Sequence, residues 1–501
     1  MASSTNATAT GMEDLLSKII TFLTTDAQLV TDSQQWVVMR SRRDNILSAS
    51  SSFAEQLGAQ DMRLIESFRY DGRLLNVTST AGTSAYFHGG TFTAGVSNIT
   101  MQLKTTRDVV AVTLRAASNT GSQYTPTGFK LQYSDDGTTW TTATTVTGEP
   151  VWGQGERRTF SFTSAGTHVH WRFIVDTTAA SSIVSWAEML LEESDGTIAN
   201  HFGSDVIFKA PGNSATDQIY TGIRTHSRTS AGWHNFLMNG FTGYDAGEES
   251  FFLQPGALTP YGNTNPLSVP VVPLWDNSIP YWLAADGRSM RFSVKVSTSY
   301  EGGYLGFMLP YATPSQYPYP LLVGGSLAVS DTSNRDTDFH YSFVSARHGV
   351  FVGPGVEIRP SIEYLDAALY LRQSNGFWGY HGNRGTASET VSGPSQNVSP
   401  PYAPVTFDGY RFVWPHCMAG QTATNRLPYQ EAIGGGYVLQ PCILGQAQPS
   451  VEIFGELDGC FSVSGFNNAP ENTMTVSAVN YTIFQNSYRT TSHEFWALRM
   501  D

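Results

Sequence analysis

The residues that could carry chemistry are scattered along the chain, and most fail on spacing. A serine nucleophile at a strand-to-helix elbow needs Gly-x-Ser-x-Gly, because only glycines let the backbone turn so sharply. Gly324-Gly-Ser326-Leu-Ala328 lacks the last of them. His493-Glu494 opens like a zinc-protease helix, but position 497, where the second histidine would share the metal, is Ala497. His168 and His170 stand two apart in an alternating run, so they share one strand face; with no third ligand they read as polar residues on an exposed face. Asp331, Asp336 and Asp338 lie in a polar stretch without the glycine and oxygen-donor spacing of an EF-hand, which reads as a solvated loop. Glu248-Glu249 and Glu456 with Asp458 offer carboxylate pairs, but glycoside hydrolysis depends on their separation in space. No Gly-x4-Gly-Lys-Ser/Thr or Gly-x-Gly-x-x-Gly loop is present to cradle a phosphate. The expectation is a protein that is not an enzyme, with no cofactor and no metal. Trp378, Tyr380, Tyr317 and Tyr319 remain as aromatics expected at the surface. They would stack on sugar rings or, with prolines beside them, pack in a subunit interface.

Charge narrows the partners. Only 14% of the 501 residues are Asp, Glu, Lys or Arg, and the net charge is −13. DNA phosphates need a clustered positive face, and the one basic cluster, Arg40-Ser-Arg-Arg43, is followed at once by Asp44. It reads as a solvated or subunit-contact segment, and no nucleic acid is expected as a partner. Uncharged polar residues must cover most of the surface, as suits extended β-structure packed between many copies. Cys417, Cys442 and Cys460 are odd in number and widely spaced, so they read as small buried hydrophobes. The polar opening Met1–Thr10 has no signal-peptide pattern, and no stretch nears the ~20 apolar residues of a membrane helix. A soluble product made in the cytoplasm is expected.

The elements follow from periodicity. Met12, Leu15, Leu16, Ile19, Ile20 and Leu23 fall on one helical face, and Thr10 with Glu13 matches a capping box, which predicts a helix from about Gly11 to Thr24. A short second helix is expected over Ser52 to Leu57. After about Arg63 the period becomes two: Val110, Val112 and Leu114; Phe129, Leu131 and Tyr133; Phe160 and Phe162; Val169, Trp171, Phe173 and Val175. Turns such as Asp135-Asp-Gly137 separate these strands, as in a β-sandwich. Beyond Asn200, Phe292, Val294 and Val296 alternate with polar residues, and long Pro/Gly/Tyr loops interrupt at Gln254–Pro273, Leu309–Pro320 and Gly385–Pro404. The fold class is therefore mainly β, divided as a helical docking segment over 1–62, a sandwich over 63–197 and a β-rich region over 198–501, with a further division near 330.

The run Phe129-Lys-Leu-Gln-Tyr-Ser-Asp-Asp-Gly-Thr-Thr-Trp140 resembles the discoidin, or F5/8 type C, family, with Ser134, Asp136, Gly137 and Trp140 in the places of its Ser-x-Asp-Gly-x-x-Trp. Val169-His-Trp-Arg-Phe-Ile174 and Trp186-Ala-Glu188 resemble later strands of that family, so that the likeness spans about Ile65 to Glu193. It implies a jelly-roll sandwich that binds ligands and has no catalytic centre. Asp-Gly reads as a tight hairpin turn, with Trp140 returning to the core. The family's Asp-x-x-x-Thr-x-Trp loop, near its ligand and cation end, is replaced here by Ser84-Ala-Tyr-Phe-His-Gly-Gly90.

From Asn200 onward the chain resembles a family of tailed-bacteriophage virion proteins. The resemblance rests on Trp233-His-Asn-Phe-Leu-Met-Asn-Gly-Phe-Thr-Gly-Tyr244, Ser278-Ile-Pro-Tyr-Trp282, Tyr304-Leu-Gly-Phe307 and Pro314-Ser-Gln-Tyr-Pro-Tyr-Pro-Leu-Leu-Val-Gly-Gly325. Phe454-Gly-Glu-Leu-Asp-Gly459 and Tyr488-Arg-Thr with Phe495-Trp-Ala-Leu498 extend it. It implies a structural component of a phage tail or baseplate, located in the virion and assembled as a homo-oligomer with other tail proteins. The apolar stripe of the N-terminal helix needs a partner, either the chain's own domains or a neighbouring subunit. In the tail reading it docks into a neighbour, and removal of residues 1–60 would leave the rest folded and soluble but unable to enter particles. The alternatives are a host-receptor or glycan-binding tail adhesin and, less favoured, a polysaccharide depolymerase.

Overall fold

The computed structural model describes residues 1–53, 87–326, 367–380, 411–414, 438–485 and 495–501, with interruptions inside these spans, the longest at 259–269. The chain forms two compact units, one made of Met1–Ser41 with Asp205–Asp501 and the other of Arg42–Ser204. The expected divisions at 62 and 197 therefore move to Ser41 and Ser204. The N-terminal segment is part of the larger unit, and residues around the expected division near 330 lie outside the described ones.

The reason is the amphipathic helix. Met12–Thr25 buries Met12, Leu15, Leu16, Ile19, Phe22 and Leu23 within its own chain, and Ala2–Ala9 before it pairs antiparallel with Ile279–Ala285. The apolar stripe is thus already covered, which corrects the docking role and the expectation that residues 1–60 can be removed without harm. The capping box does not form either. The Thr10 amide donates to Asp14 Oδ2 at 2.9 Å, while Glu13 Oε1 accepts from the Thr225 hydroxyl at 2.7 Å. Trp36, 1% exposed, donates its indole N–H to the Asp286 carbonyl. Arg40 is buried as well, with Nε 3.0 Å from Asp205 Oδ1, so the basic cluster is not simply a solvated segment.

In the larger unit an antiparallel sheet runs, in spatial order, Ala2–Ala9, Ile279–Ala285, Ser289–Val296, Ser299–Phe307, Leu321–Ser326, Val271–Leu274, Trp233–Phe241, Ile219–Arg228, Asp205–Ala210 and Val37–Arg42. The strands Ala367–Arg372 and Trp378–Tyr380 branch from Leu321–Ser326. A second sheet holds Arg411–Trp414, Val438–Gln446, Glu452–Ser464, Phe495–Arg499, Val479–Gln485 and Thr473–Val476. Trp282, Tyr304, Leu322 and Leu371 from the first sheet pack with Leu444, Leu457, Phe484 and Trp496 from the second.

The alternation in Ser289–Val296 suggested one solvated face, but Arg291 and Ser293 are as buried as Phe292 and Val294. The second sheet lies over the polar side, with Gly459 against the Arg291 guanidinium. Arg291 stays charged there because Asp286 Oδ2 stands 3.5 Å away and Ser289 Oγ accepts at 3.0 Å. Cys442 and Cys460 are buried as expected, and burial pushes the Cys442 thiol up to about 12; Cys417 lies outside the described residues. Among the described residues no helix is long and apolar enough to cross a membrane.

The smaller unit is a sandwich. One sheet runs Ile46–Ser51, Asn98–Arg107, His168–Thr178, Pro126–Ser134 and Thr141–Val146; the facing one runs Glu188–Glu193, Val109–Arg115 and Arg157–Ser161, with Ile183–Trp186 and Phe87–Thr91 as a separate pair. The predicted period-two residues build its core: Phe129 lies 4.8 Å from Phe173 and 5.1 Å from Phe160, and Phe173 meets Trp186 at 5.7 Å. Each fully buried aromatic contributes about 2–3 kcal/mol of burial. Phe53 is buried against Trp186 rather than helical, and most of the short helix expected there lies outside the described residues.

Candidate functional site

The strand directions of the sandwich separate two ends. The chain enters and leaves at one, where the Asp44 amide donates to Ser204 Oγ at 3.0 Å. At the other lie the start of Asn98–Arg107, the end of His168–Thr178, the turn before Pro126 and the 147–156 loop. The stretch after Ser51, where the family-like ligand loop would fall, also departs from this end; 54–86 lies outside the described residues.

The rim there is held from below. Trp152, 3% exposed, donates its indole N–H to the Pro126 carbonyl at 2.9 Å. The Arg158 guanidinium lies over that ring, 4.2 Å from its centroid. Its nitrogens reach Glu156 Oε1 at 2.8 Å, Glu149 Oε2 at 3.2 Å, the Pro150 carbonyl at 2.9 Å and the Val151 carbonyl at 3.3 Å. Hydrogen bonds from Arg158 and from the Gly153 amide hold the Glu156 carboxyl below the usual range. Beside it, Lys130 pairs with Asp176 at 3.3 Å, and Gly95, with φ at 70°, turns the 92–97 loop against that carboxylate. Val96 and Val151 project from the two loops, each 63% exposed. The rim therefore offers fixed hydrogen-bonding groups beside exposed apolar contacts, a composition suited to a polar ligand with apolar faces, such as a sugar. Sequence reasoning missed Trp152 and Arg158. The Trp-Gly-x-Gly-Glu-x-Arg spacing was a usable signal, since it returns Glu and Arg to a tryptophan across a glycine turn.

The Ser-x-Asp-Gly-x-x-Trp segment sits at the opposite end and has a structural job. Asp136 Oδ1 accepts from the amides of Thr138 at 2.8 Å and Thr139 at 2.7 Å and from Ser134 Oγ at 2.9 Å. These bonds, the Thr139 amide foremost, hold its carboxyl far below the usual range. The loop has six residues rather than two, and Trp140 does not return to the core: it stays half-buried under the Arg172 guanidinium at 4.2 Å. His168 and His170 do not act as a metal pair. A register shift separates them; His168 stacks on Tyr133 at 3.9 Å and bonds Asp135 Oδ1 at 2.8 Å, while His170 packs against Gly137. Among the described residues no group of three or more His, Cys, Asp or Glu could hold a metal. Asp331, Asp336, Asp338, His493 and Glu494 lie outside them, as does Glu249.

Of the four aromatics expected at the surface, Tyr317 and Tyr319 contact Arg372 in the larger unit, and Trp378 pairs with it in strand register. Two are not surface groups. Trp378 is 6% exposed and donates to the Gly256 carbonyl at 3.1 Å; Tyr317 is 5% exposed and donates to the Arg372 carbonyl at 2.5 Å. Tyr319 is half-buried, edge-on to Phe307 and beneath the Arg372 guanidinium. Tyr380 is in backbone register with Tyr370. Nearby on the chain, Tyr311 is 55% exposed and its hydroxyl donates to Glu456 Oε2 at 3.1 Å.

Comparison with known families matches residues 47–189 to the F5/8 type C domain. No curated protein matches the chain in sequence. Among solved structures it is similar to CpGH89CBM32-5 from Clostridium perfringens, in complex with GalNAc-β-1,3-galactose (15% identity, 28% of this chain and 91% of that one, TM-score 0.20). It is also similar to the family 32 carbohydrate-binding module from Streptococcus pneumoniae EndoD (19%, 30% and 100%, TM-score 0.21). A third is the family 32 module of C. perfringens NanJ in complex with galactose (16%, 28% and 89%, TM-score 0.20). With its motif, strands and core in place, the Arg42–Ser204 unit carries an F5/8 type C domain.

Proposed function

We propose that this protein binds glycans, with the Arg42–Ser204 sandwich as the recognition module and the larger β unit as the body that presents it. The observation that carries this reading is the F5/8 type C match at 47–189 on a sandwich whose far rim is braced by Arg158 and Trp152. Binding through that rim needs no bond-making step, and the protein acts as a binder rather than an enzyme. The setting we propose is a bacteriophage tail adhesin, made in the host cytoplasm and incorporated into the virion with other tail proteins. Its support is the resemblance of the chain from Asn200 onward. Several copies on one particle would convert weak single contacts into avid attachment.

The test is a panel of galactose-, N-acetylgalactosamine-, glucose-, mannose- and uronate-terminated oligosaccharides, probed with the full chain. Saturable binding to a subset, weakened by Asp176→Ala and Lys130→Ala and accompanied by no release of reducing ends, is the expected result. A folded protein that binds none of them would refute the reading and leave a purely structural role in the tail.

A further inference from the structure

We propose that Arg372, held by Tyr319 and Tyr317, forms a second glycan contact on the larger unit, one that selects the carboxylate of an acidic sugar such as a uronic acid. The inference rests on the chain being a glycan binder, and it adds a substrate class and a site outside the F5/8 type C domain.

Three contacts fix the arginine. The Tyr317 hydroxyl donates to its backbone carbonyl at 2.5 Å. Its Nε donates to the Gly376 carbonyl at 3.3 Å, across a turn where Gly376 has φ of 85°, a conformation other residues rarely adopt. Its guanidinium carbon lies 5.0 Å from the centre of the Tyr319 ring, which is itself braced edge-on by Phe307 at 5.2 Å. These contacts use Nε and one face of the group and leave the Nη1/Nη2 edge without a protein acceptor among the described residues.

Arg40, Arg107, Arg115, Arg158 and Arg291 each have a carboxylate within 4.0 Å; Arg372, like Arg172 and Arg288, has none among the described residues. A planar fork already immobilised loses little entropy on binding, and its shape matches a carboxylate through two parallel N–H···O bonds. The exposed positions on the two segments include Thr313, Ser315, Gln316, Ser374 and Gly376, with Pro314 and Pro318 among them. The polar groups suit the hydroxyls of a sugar, and the prolines offer its apolar faces a contact.

The experiment measures full-chain binding to an oligogalacturonate and to a neutral oligosaccharide of equal length, in wild type, Arg372→Gln and Arg372→Lys. Arg372→Gln is expected to weaken uronate binding by about tenfold or more while neutral-sugar binding stays within about twofold. Arg372→Lys keeps the charge but loses the fork and is expected to fall between, about threefold weaker. Unchanged uronate affinity in either variant overturns the proposal, and Arg372→Lys decides alone where Arg372→Gln does not fold. Light scattering is run alongside. Loss of self-association in place of uronate binding would assign Arg372 to a contact between copies and also overturn it. If wild type binds no oligosaccharide at all, it is the glycan-binding reading that fails.

Discussion

Replacing Arg158 with alanine removes the brace of the binding rim, and the cost follows from its contacts. Two carbonyls accept from a charged donor, at 2.9 and 3.3 Å, for about 1–1.5 kcal/mol together once exposure is discounted. The ion pairs with Glu149 and Glu156 are partly solvated and contribute about 0.5 kcal/mol each. Stacking over Trp152 at 4.2 Å contributes about 0.5–1 kcal/mol. Freeing the long side chain returns about 1 kcal/mol of entropy, so the net loss is about 2 kcal/mol. Urea unfolding of the full chain, followed by tryptophan fluorescence, should show the transition of the smaller unit about 1 M earlier, taking a slope of about 2 kcal/mol/M. Amide exchange at Glu149 and Gly153, which bond to the Thr127 carbonyl and to Glu156, should accelerate at the same time. Arg158→Lys should recover no more than about half of the loss, because one ammonium cannot span both glutamates and both carbonyls. A shift under about 0.3 M with unchanged exchange would show that the loop holds itself and that Arg158 is not its brace.

Acid should weaken the smaller unit in a defined direction. Asp136, Glu156 and Asp195 have folded pKa values below their unfolded ones, so their stabilisation is present above the ordinary carboxylate range and is lost as pH falls through it. The thermal midpoint should be flat above about pH 5 and drop from there towards about pH 2, and Asp136→Asn should lower the neutral value while flattening that limb; a wild-type midpoint constant across this range would contradict the account. Gly303→Ala should cost about 2–3 kcal/mol, since a Cβ there would stand 2.4 Å from the Phe292 ring and 2.9 Å from Met238; a neutral change in denaturation midpoint would mean the sheet relaxes freely. Trp378→Ala should destabilise the larger unit by about 3–5 kcal/mol, because it empties a buried site and orphans the Gly256 carbonyl. A stable variant that merely lost sugar binding would return Trp378 to the surface role expected from sequence.

Much of the sandwich was legible in the chain because burial on a strand writes itself at every second residue. Phe129, Leu131, Trp171, Phe173 and Val175 were placed on their inner face correctly, and the Ser134–Trp140 segment pointed to the family match at 47–189. The helix at Met12–Thr25 was legible for the same reason, its period being 3.6. What covers an apolar face is not written in its own period. The same stripe fits a neighbour's groove or the chain's own sheet, and only pairing of Ala2–Ala9 with Ile279–Ala285, some 270 residues on by the numbering, decided for the latter. Likewise Arg291 and Ser293 look solvated until a second sheet lies over them.

The site was the least readable part. Exposure of an aromatic depends on long-range packing, so Trp378 and Tyr317 turned out to be buried supports while Arg372, unremarked in the sequence, stands on Tyr319. Local periodicity by itself determined which residues turn inward and hence the β character and sandwich of this protein. Which surfaces remain open, and which charged groups pair with one another, was decided only when distant strands came together, because burial and ion pairing are properties of neighbours in space.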